Sequence, residues 1–186
     1  MNHFFEEKGH GTDVIAVAGI ETVHRSSLRR LRPKVWLNNE LVNFQMHCMD
    51  LLHKDGIKCH CFSSYFMSKL VGDPGGCNFD NVKRWFKDVN IFQYEVVIFP
   101  INFDKLHWVA ICVHFNQKCI RYYDSSLNIL DTNRKNRHVD GVFRCIKDVW
   151  LEQHKGESND WIGWNSFNDR VLTPIQPNRK LFLMLH

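Results

Sequence analysis

The chain has 186 residues, 44% of them apolar and 24% charged, with a formal net charge of +4. Those proportions exclude collagen-like, disordered and coiled-coil chains, and they fit one globular domain with short appendages. No apolar run approaches the ~18 residues of a membrane span, and the first twenty residues lack the basic start and apolar stretch of a secretion signal.

In chain order, residues 1–33 read as a flexible N-terminal arm ending at Pro33. The arm closes on a basic cluster: His24, Arg25, Arg29, Arg30, Arg32 and Lys34. We read it as a solvated approach to the first helix, with nuclear import or polyanion binding as the alternative. Residues 34–54 predict that helix. Leu37, Leu41, Phe44, Cys48 and Leu51 recur at spacings of four and three, which defines one helical face. Asn38 or Asn39 can cap its start. Residues 62–71 predict a second, shorter helix. Asp73 to Gly76 is a loop signal. Residues 79–87 predict a third helix with Val82, Trp85 and Phe86 inward.

The period then changes. Tyr94 to Ile101 is a short apolar run typical of a buried strand, and Trp108 to Phe115 is another. Residues 116–118 suit a tight turn, and Cys119 to Asp124 completes a hairpin. Helical spacing returns over 138–154, with Val142, Phe143, Ile146, Val149 and Trp150 on one face. Helices, then strands, then a helix give the α+β class.

The chain has seven Cys, at 48, 59, 61, 77, 112, 119 and 145. An odd number without a secretion signal predicts reduced thiols and a nuclear or cytoplasmic location. His47, Cys48, His53, Cys59, His60 and Cys61 crowd together. Cys59 and Cys61 have a one-residue gap and no second pair, which does not match zinc-site spacing, so no metal is expected. No cofactor is expected either. A net charge of +4 is too small to imply nucleic acid, and the basic residues are not interleaved with the aromatics that stack on bases.

His107 precedes one strand of the hairpin, and Asp124 ends the other, 17 positions later. The start of one antiparallel strand lies opposite the end of the next, so the two side chains can meet. A carboxylate that fixes the tautomer of a His makes it a general base. The alternative is two turn residues capping backbone.

Four segments then match a known family in order: Trp36 to Phe44 (WLNNELVNF), Val82 to Lys87 (VKRWFK), Pro100 to Trp108 (PINFDKLHW) and Tyr122 to Ser125 (YYDS). Together they resemble the ubiquitin-like-protein proteases, the sentrin/SUMO-specific cysteine proteases. The resemblance runs from about residue 30 to Asn178. It implies a papain-like fold over 34–178, with a divergent tail over 179–186. It also implies cleavage after the Gly-Gly terminus of SUMO or a related modifier. The partners implied are SUMO-like or other ubiquitin-like modifiers and their conjugates; the composition gives no membrane partner and argues against nucleic acid. His107 would be the base and Asp124 its orienting partner. Gln176 would donate to the oxyanion. Trp36 and Trp108 would form a slot that only glycines can thread. Asn39 stands where the family often has Asp, which keeps a hydrogen bond to the modifier but loses a charge.

The pattern breaks after Asn178. The family's nucleophilic Cys comes six residues after the oxyanion Gln, and here that residue is Phe182. No Cys follows Cys145. Acyl transfer needs a thiolate beside the base, and neither Cys112 nor Cys119 is predicted at a helix N-terminus that would favour one. The resemblance therefore implies a protease fold incomplete at its C-terminus. It also implies a polypeptide that is inactive or a non-catalytic binder of the modifier.

Overall fold

The computed structural model describes residues 9–52, 56–72, 76–103, 105, 107–125, 132–155, 161 and 163–168. It opens with a hairpin, β1 (Val14–Ala18) and β2 (Glu21–His24), followed by a single helical turn, α1 (Arg25–Leu28). The segment 14–28, expected as part of a flexible arm, is thus ordered. Its two-residue turn puts Gly19 at φ +57°, and a Cβ there would run into the ring of His47. Glycine is needed for both the backbone sign and the close approach. His24 ties the hairpin to the next helix: its N–H donates to Glu40 Oε1 (2.6 Å), and Nδ1 lies 3.1 Å from Oε2. Burial works to raise the Glu40 pKa, but the hydrogen bonds from His24 outweigh it and hold the carboxyl below its ordinary range.

Helix α2 spans Asn39–Leu52. Asn38 Oδ1 accepts the Leu41 N–H (3.2 Å), an N-cap, and Glu40 in the first turn suits the helix dipole. The buried face is not the expected one. Val42, Met46 and Met49 point into the core, whereas Leu51 is 50% exposed. Both series have helical spacing because the helix is apolar on two sides. The sheet takes one side and the N-terminal hairpin lies against the helix as well.

After α2 come β3 (Cys59–Cys61), α3 (Tyr65–Leu70) and the short pair β4 (Val71–Gly72) and β5 (Gly76–Cys77). The helix expected over 79–87 is instead two 3-10 turns, Phe79–Asn81 and Lys83–Phe86. Asn78 Oδ1 accepts the Asp80 N–H and Val82 leaves helical φ, which favours short turns over a continuous helix. Val82 and Phe86 are nevertheless buried, as expected. The main strands follow: β6 (Val96–Phe103), β7 (His107–His114) and β8 (Cys119–Asp124), then α4 (Thr132–Gln153) and β9 (Asn165–Asn168).

The central sheet has the order β3-β6-β7-β8-β9, parallel at its two ends and antiparallel in the middle. Pro100 sits within β6 at little cost. The Phe62 N–H donates to Ile98 O, so the alternate residue Pro100 turns its missing donor toward the side where β3 has already ended. Strand alternation splits the core. Val97, Phe99, Ile101, Val109, Ile111, Val113, Ile120 and Tyr122 face α3 and α4. Ile98, Trp108 and Cys112 face α2. Helix α4 buries Val139, Val142, Cys145, Ile146 and Val149. Its Gly141 lets β4 approach, since a Cβ there would meet Val71 Cγ2 at 2.9 Å.

Candidate active site

The β7/β8 register pairs Val109 with Asp124. His107 is two residues before Val109 and points to the same face, so it is the diagonal neighbour of Asp124. The side chains meet: His107 Nε2 lies 2.7 Å from Asp124 Oδ1. His107 is 9% exposed and Asp124 4%. With the Nε2 proton held by the carboxylate, Nδ1 is the nitrogen left to take or give a proton. The expectation that hairpin geometry brings these two residues together matches the structure.

Phe103 is the cross-strand partner of His107 and shares its face. On the Phe103 ring sit the His138 ring (centroids 5.2 Å, edge-on) and the Arg134 guanidinium (4.9 Å). The first turns of α4 thus wall the base from one side. Sequence reasoning missed Arg134 because α4 starts at Thr132 rather than 138, and missed His138 because a polar residue at the expected helix start gave no signal.

Trp108, adjacent in sequence, points to the opposite face. The resemblance implies a wall of the glycine slot here, and the structure buries the ring instead. It is 2% exposed, packs with Val42, Met46 and Met49, and its indole N–H donates to Leu37 O (3.1 Å). An indole on a central strand beneath a helix finds more apolar surface there than at a rim. The bond to Leu37 still brings Trp108 against the backbone next to Trp36, which is half-buried, with its own carbonyl accepting from Arg30 (3.3 Å). Asn39 is half-buried beside them, and its Oδ1 accepts from Asn102 Nδ2 (3.1 Å). Asn102 is the cross-strand partner of Trp108 and was also missed, because only the β6/β7 register reveals it. Gln176 lies outside the described residues, as do Asn178 and the tail 179–186.

All seven cysteines are described, and none forms a disulfide. Cys112 is five residues along β7 from His107, roughly 17 Å away, and on the other face. Cys119 pairs with His114 at the far end of the same strand. Burial pushes the thiols of Cys59, Cys61, Cys77 and Cys145 above their ordinary value of 9.0. Above about pH 9 the unfolded chain releases these protons while the folded chain keeps them. Stability is therefore full below that pH and falls as pH rises, by ~1.4 kcal/mol per pH unit for a well-buried thiol. Urea midpoints between about pH 8 and about pH 10 should fall, and fall less steeply in Cys145→Ala. Equal slopes in the two proteins would contradict this.

Comparison with known proteins places this geometry. Residues 35–180 match the Ulp1 protease family, C-terminal catalytic domain. Human sentrin-specific protease 2 is 35% identical over 121 residues, which cover 63% of this chain and 20% of that protein. Human sentrin-specific protease 3 is 31% identical over 136 residues, covering 72% of this chain and 21% of that protein. The chain spans about a fifth of the length of these curated relatives. The C-terminal Ulp1 protease domain, solved in complex with Smt3, the yeast orthologue of SUMO, superposes with a TM-score of 0.73. That match has 19% identity and covers 94% of this chain and 72% of that one. A second solved structure, titled a de-sumoylating protease, gives a TM-score of 0.66 with 20% identity over 86% of this chain and 62% of that one. The α+β fold is that of Ulp1 catalytic domains, and the chain belongs to the Ulp1 family of SUMO-type cysteine proteases.

Proposed function

We propose that this chain recognises SUMO-like or other ubiquitin-like modifiers ending in Gly-Gly, and their conjugates, and that the polypeptide of this sequence does not hydrolyse them. The observation that carries the reading is the buried His107–Asp124 pair at 2.7 Å, at the hairpin position where the family resemblance puts the base. In that role His107 moves protons at Nδ1, and Asp124 orients the ring and stabilises the imidazolium. Gln176 stands at the position of the family's oxyanion donor. Trp36 lines the slot for the glycines, with Trp108 buried behind the Leu37 backbone, and Asn39 holds the modifier by hydrogen bonding without charge. Residues 34–178 act as the protease-type unit and 179–186 as a divergent tail.

The chemistry stops at the nucleophile. Cleavage requires a thiolate to form an acyl-enzyme. The sequence has no Cys beyond Cys145, and Phe182 stands six residues after Gln176. The remaining thiols lie on β3, β5, β7, β8, α2 and α4, and the two on the strands of the hairpin are remote from His107. Reduced thiols and the resemblance suit a nuclear or cytoplasmic location. Among the described residues no helix is long and apolar enough to cross a membrane.

The test is a titration of a fluorescent modifier ending in Gly-Gly. Saturable binding is expected, weakened about tenfold or more by Trp36→Ala, as for a tryptophan at the centre of an interface. Equal affinity for a modifier lacking its terminal Gly-Gly, or no binding at high protein concentration, would overturn the reading.

A further inference from the structure

Helix α2 and strand β3 meet away from the His107 site, at the opposite edge of the three central strands. Cys59 and Cys61 are two residues apart on β3, so both sulfurs point to one face, toward α2. Asp50 is one turn beyond Met46 on α2 and reaches the same place. Its carboxylate and the two sulfurs all lie within 4.8 Å of one another. Asp50 Oδ1 accepts the Cys61 N–H (2.7 Å), and Oδ2 lies 3.2 Å from His60 Nδ1. The His60 ring is held in turn by Phe62 (4.7 Å, edge-on) and Tyr94 (5.3 Å).

We propose that Asp50, Cys59 and Cys61 form a binding site for a borderline-soft divalent cation such as Zn²⁺, with His60 as the positioning residue for the Asp50 carboxylate. The donor set is right for that class of metal: two thiolates and one carboxylate oxygen, with a fourth position for water. Tetrahedral Zn–S and Zn–O bonds place ligand atoms roughly 3.3–3.8 Å apart, so side-chain rotation of about an ångström closes the present spacing. The carboxylate is already oriented, with His60 against Oδ2 and the Cys61 N–H donating to Oδ1, as outer partners of a metal ligand do.

The rival explanation is a carboxylate that only caps the sheet edge. It accounts for the Cys61 N–H bond and for a thiol proton directed at the carboxylate, so the cobalt titration is what separates it from a cation site. Both cysteines are less than 9% exposed, among Val42, Met46, Met49 and Ile98. An anionic oxygen facing two thiols in an apolar cluster is offset by a dication that replaces the two thiol protons. On binding, each Cys loses one proton to solvent and forms one metal–sulfur bond, so charge and atoms balance. Asp50 is only 21% exposed, at the rim of the cluster, which gives the ion an entry route. The bound ion would staple the end of α2 to the edge of the sheet. The Cys and His spacing in the sequence did not reveal the site, because the third ligand comes from Asp50 on another element.

The test uses the full chain, reduced with a non-chelating phosphine and titrated with Co²⁺. The expected result is saturation at one ion per chain with a sulfur-to-cobalt charge-transfer band in the near ultraviolet. Zn²⁺ should bleach the band and raise the melting temperature. Cys59→Ser and Cys61→Ser should each weaken the band, and the double variant should abolish it, whereas Cys119→Ser should keep it. Asp50→Asn, at a half-buried position that tolerates the change, should weaken Co²⁺ binding even if the Cys variants fold poorly. His60→Ala should weaken it by roughly 10- to 100-fold, as loss of an outer-shell partner does. No charge-transfer band on the folded, reduced chain would overturn the proposal. So would a band that survives in the Cys59→Ser/Cys61→Ser double variant.

Discussion

Replacing Trp108 by alanine is expected to destabilise the fold by about 3–5 kcal/mol, the cost of truncating a large buried ring. The side chain is 2% exposed and is the largest member of the cluster between α2 and the sheet. Its removal opens a cavity bounded by Val42, Met46 and Met49, and it deprives Leu37 O of its donor. In urea denaturation the midpoint should fall with an unchanged slope, and the melting temperature should drop by roughly 10 °C. Trp108→Phe should recover most of the packing but not the hydrogen bond. A loss below about 1 kcal/mol would mean that the ring is not buried as described. The consequence for function is practical. Weaker modifier binding in Trp108→Ala would report a damaged core, so Trp36 is the informative position for the glycine slot.

The second large effect is expected at Asp124. Asp124→Ala leaves the buried His107 ring N–H without its acceptor, and an unsatisfied buried donor costs about 1–3 kcal/mol. Asp124→Asn keeps the shape and an oxygen that can accept the Nε2 proton, so its loss should be much smaller. His107→Ala and the double variant complete a cycle. Coupling above about 1 kcal/mol is expected for groups in direct contact at 2.7 Å. Additive losses would show that the two side chains do not bond in solution.

These two residues mark what was legible in the sequence and what was not. The His107–Asp124 contact was legible because two apolar runs and a tight turn specify a hairpin, and the hairpin register then fixes which ends meet. The depth of Trp108 was not legible. Strand alternation says only that it faces away from His107, and α2 is what buries it. The buried face of α2 was misread for a related reason. An apolar helix flanked on two sides offers two series at helical spacing, and only tertiary packing chooses between Leu41/Phe44/Cys48 and Val42/Met46/Met49. The hairpin over 14–24 was missed because a two-stranded ribbon has little signal of its own. It depends on α2, on Gly19 at positive φ and on the His24–Glu40 contacts. Asn102 and Asp50 became visible only when β6 and β3 took their places in the sheet.

In the proposed function, His107 and Asp124 are the base half of a SUMO-type cysteine protease site, with no thiol to serve it among residues 1–186. The most direct measurement is steady-state release of a fluorophore from the Gly-Gly terminus of a SUMO-type modifier by the reduced chain. The account predicts no turnover above the rate without protein, under conditions where the modifier binds. Sustained release that His107→Ala abolishes would contradict it.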